Sequence, residues 1–162
     1  MLSPSTIREW QIDQLRKAPT IAAYIVQATP AADLTTYRDG GDGWTALETL
    51  GHLWDYEPIM YERARVTLEQ DSPDLPGADQ EVLAREKRYN DQSPEQLARE
   101  WAQRRHPLVA LFEGVTEDQW SRPARHPRRG LMTLSDLLAL VAWHDTNHLE
   151  QMTRTLAEKR AP

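Results

Sequence analysis

The chain has 162 residues, the length of one ordinary domain, and its formal net charge is −6 at pH 7. This acidic balance argues against a nucleic-acid partner, because phosphate backbones are bound by basic surfaces. The absence of cysteine excludes disulfides, thiolate zinc sites and a cysteine nucleophile, which leaves histidines and carboxylates as the side chains able to bind a metal ion.

The N-terminal segment, "MLSPSTIREWQIDQLRK", carries charges and lacks the apolar run of a signal peptide. No later stretch is long and apolar enough to cross a bilayer. We therefore expect one soluble domain over residues 1–162, located in the cytoplasm and without a membrane partner. The first predicted helix covers residues 4–28, with a kink expected at Pro19.

Capping signals mark the helices that follow. The segment "TALE" is a capping box ahead of an apolar series, and it predicts a second helix over 45–70 with a kink expected at Pro58. The segment "SPEQ" is a second capping box, with proline at the first helical position, and it predicts a third helix over 94–113. The segment "TEDQ" predicts a short helical turn.

The segment "TLSD" opens a fourth long helix over 134–158. No convincing strand pattern interrupts these segments. The sequence therefore predicts an all-α fold, a four-helix bundle with long connections between its helices.

The connection before the fourth helix, "SRPARHPRRGLM", is rich in arginine. Its arginines surround His126 and are Arg122, Arg125, Arg128 and Arg129. Such a segment is either a solvated loop or the mouth of a site that attracts an anionic small molecule.

The fourth helix carries two of the five histidines in the chain, His144 and His148, within "AWHDTNHLEQM". Helical counting places both at the edge of the apolar stripe, so they face inward. Side chains four apart lie one above the other, and their ring nitrogens can converge on one metal ion. Two ligands do not make a strong site, so a third ligand must come from another part of the fold.

His52, in the first turns of the second helix, is the best candidate for that third ligand by position. His106 precedes a proline and His126 lies in the arginine-rich connection. The second helix is apolar on more than one side, so periodicity alone leaves the direction of His52 open. Trp44 and Trp54, which flank His52, could wall a pocket around it.

Asp145 lies between the two C-terminal histidines and points toward the apolar stripe. Burying it without a partner would be costly, so a partner is expected. It could orient a ligand histidine or a bound water, or it could form a structural hydrogen bond or salt bridge to another helix. The motif differs from the H-E-x-x-H of zinc proteases, and the paired Glu-x-x-His motifs of di-iron bundles are missing.

Together these segments resemble the DinB/YfiT family of metal-binding four-helix bundles, over nearly the whole chain. The stretch "GWTALETLGHLWDYE" is similar to the family segment that ends in a histidine on helix two, and "LMTLSDLLALVAWHDTNHLEQMTRTL" is similar to its closing helix. The resemblance implies a divalent metal site, with Zn2+ or Ni2+ as the ion, formed by His52, His144 and His148.

The resemblance also implies an activity and partners. A three-histidine site leaves open coordination positions, at which the ion could activate a thiol or water for transfer or hydrolysis. Family members include transferases and isomerases that use low-molecular-weight thiols such as bacillithiol or mycothiol. A small-molecule substrate or thiol and a homodimer are the implied partners, and Asp145 would support a ligand histidine.

Two other hypotheses stay open at this stage. The first is a non-catalytic metal-binding or stress-associated dimeric bundle, which is favoured by the lack of an unambiguous general acid or base near the histidines. The second has no metal, and its histidines are hydrogen-bonded in a polar cavity. Neither a catalytic residue nor the identity of the metal follows from the sequence.

Overall fold

The structure, a computed structural model, describes residues 1–159. In that part of the chain the elements follow in the order α1 (Pro4–Ala28), α2 (Ala31–Thr36), α3 (Ala46–Glu69), α4 (Gln80–Lys87), α5 (Pro94–Glu113), β1 (Pro123–His126), β2 (Gly130–Thr133) and α6 (Leu134–Glu158). None of the described helices has the length and apolar character needed to cross a membrane.

The four long helices lie where the capping signals predicted them. Thr45 and Thr133 each accept a hydrogen bond from the third helical amide, and the acidic side chain at that position bonds back to the cap. Ser93 caps α5 in the same way, although the side chain of Gln96 turns to Glu100 instead of returning to the cap. The prediction of a four-helix bundle is confirmed.

The bundle brings helices together that are distant in sequence. α1 packs against α5 and α6, and α3 packs against the same two helices. Consequently α1 and α3 lie diagonally opposite each other, as do α5 and α6. Each of the two faces of α3 is therefore covered by a neighbour, which explains its apolar residues on more than one side.

A layer of charged side chains crosses the middle of the bundle. It consists of Glu57 from α3, Arg105 from α5 and Asp145 from α6, each no more than 3 % exposed. Arg105 donates to both oxygens of Glu57 at 2.7 and 2.6 Å and to Asp145 Oδ2 at 2.5 Å. One apolar cluster, around Leu53 and Trp101, lies on one side of this charged layer, and the other, around Met60 and Leu108, lies on the other side.

Prolines inside two of the helices explain how α5 is attached to its neighbours. Proline has no N–H, so Pro19 leaves the carbonyl of Leu15 without its helical donor, and Pro58 does the same to Trp54. Arg105 Nη1 donates to the oxygen of Leu15 at 3.3 Å, and Arg104 Nη1 donates to the oxygen of Trp54 at 3.1 Å. Both helices continue through their prolines, and the expected kinks stay a prediction.

The connections contain more structure than the sequence indicated. The segment predicted as an arginine-rich loop forms the hairpin of β1 and β2, in which Ala124 pairs with Met132 and His126 with Gly130. Its strands have only four residues each, too few for an alternating pattern to be recognised. Backbone bonds between Arg125 and the segment after α3, to the oxygen of Pro73 and from the amide of Leu75, hold the hairpin against α3.

Candidate metal centre

Three histidines meet between α3 and α6. One nitrogen from each of His52, His144 and His148 lies within 4.8 Å of the others, and the Nε2 atoms of His52 and His144 are 3.0 Å apart. We refer to them as the histidine cluster. His52 is 2 % exposed, and the other two side chains are partly exposed. The structure thus settles the direction of His52, which the sequence left open.

The start of α3 is fixed in a way that positions His52. Asn90 accepts a hydrogen bond from the hydroxyl of Thr45 at 2.7 Å and donates to Glu48 at 3.0 Å, so the capping box is tied to the segment before α5. Tyr89 packs directly on Gly51, where an added Cβ would come within 2.3 Å of its ring. Glycine at this position therefore lets the ring of Tyr89 lie against α3 beside His52.

A chain of polar side chains orients His148. Its Nδ1 lies 2.8 Å from Oε1 of Gln151, and the amide nitrogen of Gln151 donates to Asp39 at 3.0 Å. Arg154 also binds Asp39. Because Gln151 presents an oxygen, Nδ1 carries the proton, and the lone pair of His148 is on Nε2. Residues of the loop between α2 and α3 thereby set the tautomer of this histidine.

His144 is next to the charged layer. Its Nδ1 lies 3.5 Å from Oδ1 of Asp145, whose other oxygen binds Arg105. The predicted partner of Asp145 is therefore found, and it is a salt bridge to another helix. The same carboxylate also faces His144, so both interpretations of Asp145 correspond to contacts in the structure.

The surroundings of His52 and His148 favour the neutral form of these two histidines. Burial, with further repulsion from His144 and His148, lowers the pKa of His52 to about 2. Burial and the neighbouring His144 lower the pKa of His148 to about 4, although the bond to Gln151 opposes the shift. Burial would raise the pKa of Asp145, but Arg105 and His144 outweigh it and hold that pKa below its usual value. Neutral imidazoles are the form that binds metal ions.

This donor set fits a divalent cation. Two nitrogens that bind one zinc ion at roughly 2.0–2.1 Å are about 2.8–3.4 Å apart for angles of about 90–110°. The separation of the Nε2 atoms of His52 and His144, 3.0 Å, is in that range. Imidazole donors without a thiolate suit zinc, nickel and related ions, so the donor set does not select one of them.

Aromatic rings surround the cluster on two sides. The ring of Trp44 lies 5.0 Å from that of His52, and Tyr56 stacks on His144 at 5.4 Å. Trp54 lies elsewhere, because its ring packs under the guanidinium of Arg104 at 3.9 Å. Of the two tryptophans considered from the sequence, only Trp44 contacts the histidines.

The arginines of the hairpin divide into two pairs. Arg128 and Arg129 line a cavity of about 240 Å³ that His144 also lines. Arg122 binds the carbonyls of Thr67 and Gln70, and Arg125 binds Asp74 at 2.8 Å. The structure thus brings two of the four arginines to the site and leaves two outside it.

Several residues of the site were not recognised from the sequence. Gln151 could have been found, because it lies three residues after His148 on the same helix face. Arg105 and Glu57 gave no local signal, since each is a single charged residue in a helix that already has many. Arg63 of the cavity was missed for the same reason.

A family model described as the DinB superfamily matches residues 14–152, most of the chain. The chain belongs to the DinB superfamily. This confirms the family that the two histidine-bearing segments indicated.

Named relatives in the DinB superfamily agree with this assignment. "Putative metal-dependent hydrolase YfiT" from Bacillus subtilis is 26 % identical over 144 residues, which are 88 % of this chain and 80 % of the relative. "Putative metal-dependent hydrolase OB0413" from Oceanobacillus iheyensis is 30 % identical over 125 residues, 75 % of this chain and 69 % of the relative.

Solved structures of two proteins share the fold. YfiT from Bacillus subtilis, described as "a probable metal-dependent hydrolase with an unusual four-helix bundle topology", matches with a TM-score of 0.87 at 25 % identity, over 98 % of this chain and 89 % of that one. A mycothiol-dependent maleylpyruvate isomerase matches with a TM-score of 0.70 at 14 % identity, over 97 % of this chain and 71 % of that one. At that identity the second match shows the fold alone.

Proposed function

We propose that this protein is a metal-dependent enzyme in which His52, His144 and His148 hold a divalent cation, Zn2+ or Ni2+. The observation that carries the proposal is the convergence of three imidazoles from two helices. When bound, such an ion acts as a Lewis acid that makes a water or a thiol nucleophilic near neutral pH. The names of the relatives favour hydrolysis, and an added low-molecular-weight thiol is the alternative nucleophile.

The residues around the cluster have roles that follow from their contacts. Gln151 holds the proton of His148 on Nδ1, which leaves Nε2 as the donor to the ion. Burial raises the pKa of Glu57, but three N–H groups, two from Arg105 and one from Trp101, donate to its oxygens and favour the ionised carboxylate. The charged layer then contains two carboxylates and one guanidinium, so one formal negative charge remains beside His144. That residual charge favours a cation in the histidine cluster.

Metal content tests the ligand set directly. Purified protein should contain about one divalent ion per chain by inductively coupled plasma mass spectrometry, and His144→Ala should lose it, because two imidazoles make a weak site. His106→Ala is the matched control, since His106 is an exposed histidine outside the cluster. Full metal content in His144→Ala would refute the proposal.

Activity distinguishes an enzyme from a passive bundle. Metal-loaded protein should hydrolyse ester or amide substrates, or transfer a thiol to a model electrophile, and a chelator should abolish either reaction. Turnover without added thiol would favour hydrolysis, and turnover only with a thiol would favour transfer. A filled metal site without turnover in either assay would favour the non-catalytic alternative.

We further propose that the protein forms a homodimer through α1. Four large apolar side chains of this helix are 43–65 % exposed: Ile7, Trp10, Ile21 and Tyr24. Their spacing places Ile7 and Ile21 fourteen residues apart, as are Trp10 and Tyr24, so all four lie on one helix face. Light scattering should give a dimer, and Trp10→Glu should give a monomer. A wild-type monomer at micromolar concentration contradicts this assignment.

A further inference from the structure

The cavity beside His144 carries positive charge that no carboxylate neutralises. Three of its lining residues are arginines, Arg63, Arg128 and Arg129, and the ring of His126 lies among them. In residues 1–159, no aspartate or glutamate forms an ion pair with any of the three arginines, whereas Arg122 and Arg125 of the same hairpin bind Asp71 and Asp74. We call this cavity the arginine pocket.

Arg63 is the strongest sign that an anion belongs there. It is only 3 % exposed, and its bonds are to a neutral carbonyl, the oxygen of Pro76, at 3.0 and 2.8 Å from Nε and Nη2. Its remaining Nη1 group has the sulfur of Met60 at 3.8 Å. A buried guanidinium without a counter-charge is costly, and an anionic ligand would remove that cost.

The other basic groups of the pocket add donors. Arg128 donates its backbone N–H to Nδ1 of His126 at 3.2 Å, so the ring proton of neutral His126 is on Nε2. Burial first, and then the charges of Arg63, Arg129 and Arg128, lower the pKa of His126, so all three guanidinium groups lie close enough to act on this ring. The guanidinium of Arg129 lies 5.8 Å from the ring of Trp143, so this exposed tryptophan contacts an arginine of the pocket that it lines.

The pocket adjoins the histidine cluster and has apolar walls. His144 and Tyr56 line it, and Tyr56 also stacks on the ring of His144. Met60, Leu140 and Trp143 supply apolar surface around the basic groups. A ligand with one charged end and a short apolar body matches this combination better than a bare phosphate does.

We propose that the arginine pocket binds the carboxylate of a small organic acid, with Arg63, Arg129 and the Nε2–H of His126 as donors, and directs the rest of that molecule to the histidine cluster. This inference rests on the proposed function for the reaction, but binding of the carboxylate does not require the metal. The substrate class is therefore carboxylate-bearing small molecules.

Calorimetry at low ionic strength tests the proposal on the full chain, with metal removed by a chelator and again after reloading. Succinate should bind the metal-free protein, and neutral succinamide should not. Arg129→Gln should weaken succinate about tenfold, as expected for a lost charged hydrogen bond. Arg125→Gln, on the same hairpin but paired with Asp74, should leave the affinity unchanged.

Arg63→Gln should abolish succinate binding, and circular dichroism would show whether it still folds. Because Arg129 is exposed, Arg129→Gln should not disturb the fold, and it tests carboxylate binding if Arg63→Gln unfolds. Equal affinities for succinate and succinamide, or equal effects of Arg129→Gln and Arg125→Gln, overturn the proposal. Tighter binding of inorganic phosphate than of succinate overturns the carboxylate assignment. Succinate binding by a protein that never retains metal would leave this inference intact and reject the proposed function.

Discussion

The histidine cluster and the charged layer are neighbouring polar regions of one bundle interior, and their electrostatics are opposite. In the charged layer, Arg105 lies between Glu57 and Asp145, so that charges of opposite sign satisfy one another. In the histidine cluster, three bases point their nitrogens at each other, and any proton added there is repelled. The charged layer is therefore held by ion pairs within the protein, whereas the histidine cluster contains no carboxylate among its three members.

This difference separates structural polar residues from functional ones. A buried polar group that serves stability has its partners within the protein. The charged layer meets that condition through donors on α5 and a free carbonyl on α1. In the histidine cluster the ring nitrogens meet one another, with Nε2 of His52 3.0 Å from Nε2 of His144, and under the proposed function a divalent cation would replace that contact. His144 belongs to both regions, because it faces Asp145 with one nitrogen and His52 with the other.

The largest effect on stability is expected from a substitution that breaks the charged layer. Arg105→Leu leaves the carboxylates of Glu57 and Asp145 buried without their partner, which should lower the free energy of unfolding by about 3–5 kcal/mol. Urea denaturation followed by circular dichroism measures the loss. A decrease below about 1 kcal/mol would show that the layer does not hold its charges as described.

The next effect concerns protons at the histidine cluster. Burial lowers the pKa of His52 to about 2 and that of His148 to about 4 in the folded protein, from the ordinary histidine value of 6.5. The unfolded chain therefore binds more protons below pH 6.5, so the metal-free protein should lose stability as the pH falls from 6.5 towards 4. The slope is roughly 1.4 kcal/mol per pH unit for each group.

Urea denaturation at several pH values measures this slope. His148→Gln should reduce it, because one of the two shifted groups is gone, whereas His106→Ala should leave it unchanged. In the same pH range Asp145 should contribute little, because its pKa is already below its usual value, whereas burial raises the pKa of Glu57, so that proton uptake by Glu57 in the folded protein would oppose the loss. A stability that is constant between pH 6.5 and 4 contradicts the assigned burial of the cluster.

A smaller effect is expected from Gln151, which orients His148. Gln151→Leu removes the acceptor for Nδ1–H and should weaken metal binding about 10- to 100-fold, as for other residues that support metal ligands. Competition with a chelator measures the affinity. Gln151→Glu keeps an acceptor oxygen and should retain most of the affinity. Equal affinities for the wild type and Gln151→Leu would exclude this orienting role.

The smallest effect is expected from a substitution that removes an arginine bond to a backbone carbonyl and leaves the buried ion pairs in place. Arg104→Leu removes the donor to the oxygen of Trp54 and the guanidinium over its ring, but no buried carboxylate loses a partner. We expect a loss of about 1 kcal/mol in the free energy of unfolding. Arg99→Leu, at an exposed position of the same helix, is the control and should change little. A loss as large as that of Arg105→Leu would remove the distinction between the two arginines.

The long helices were predictable because their signals are local. A threonine or serine cap and a proline at the first turn act through the residues next to them, so they appear in the sequence at the place where the helix begins. The hairpin of β1 and β2 depends instead on backbone bonds to Pro73 and Leu75, about fifty residues earlier. No pattern within the hairpin contains that information.

The site was predictable in part for the same reason. His144 and His148 share a helix face, and their spacing is visible in the sequence. The direction of His52 depends on how α3 packs between α5 and α6, which the sequence alone left open. Arg63 and Arg105 acquire their roles only from residues on other segments, Pro76 for the first and Glu57 and Asp145 for the second.

The arginine bonds to Leu15 and Trp54 have a consequence for engineering this bundle. Replacing a helix-interior proline by alanine normally strengthens a helix, because the missing backbone hydrogen bond is restored. In Pro19→Ala the new amide would compete with Arg105 for one oxygen, and in Pro58→Ala it would compete with Arg104. Restoring either helical hydrogen bond would therefore weaken the attachment of that helix to α5, so Pro19 and Pro58 contribute here to contacts between helices.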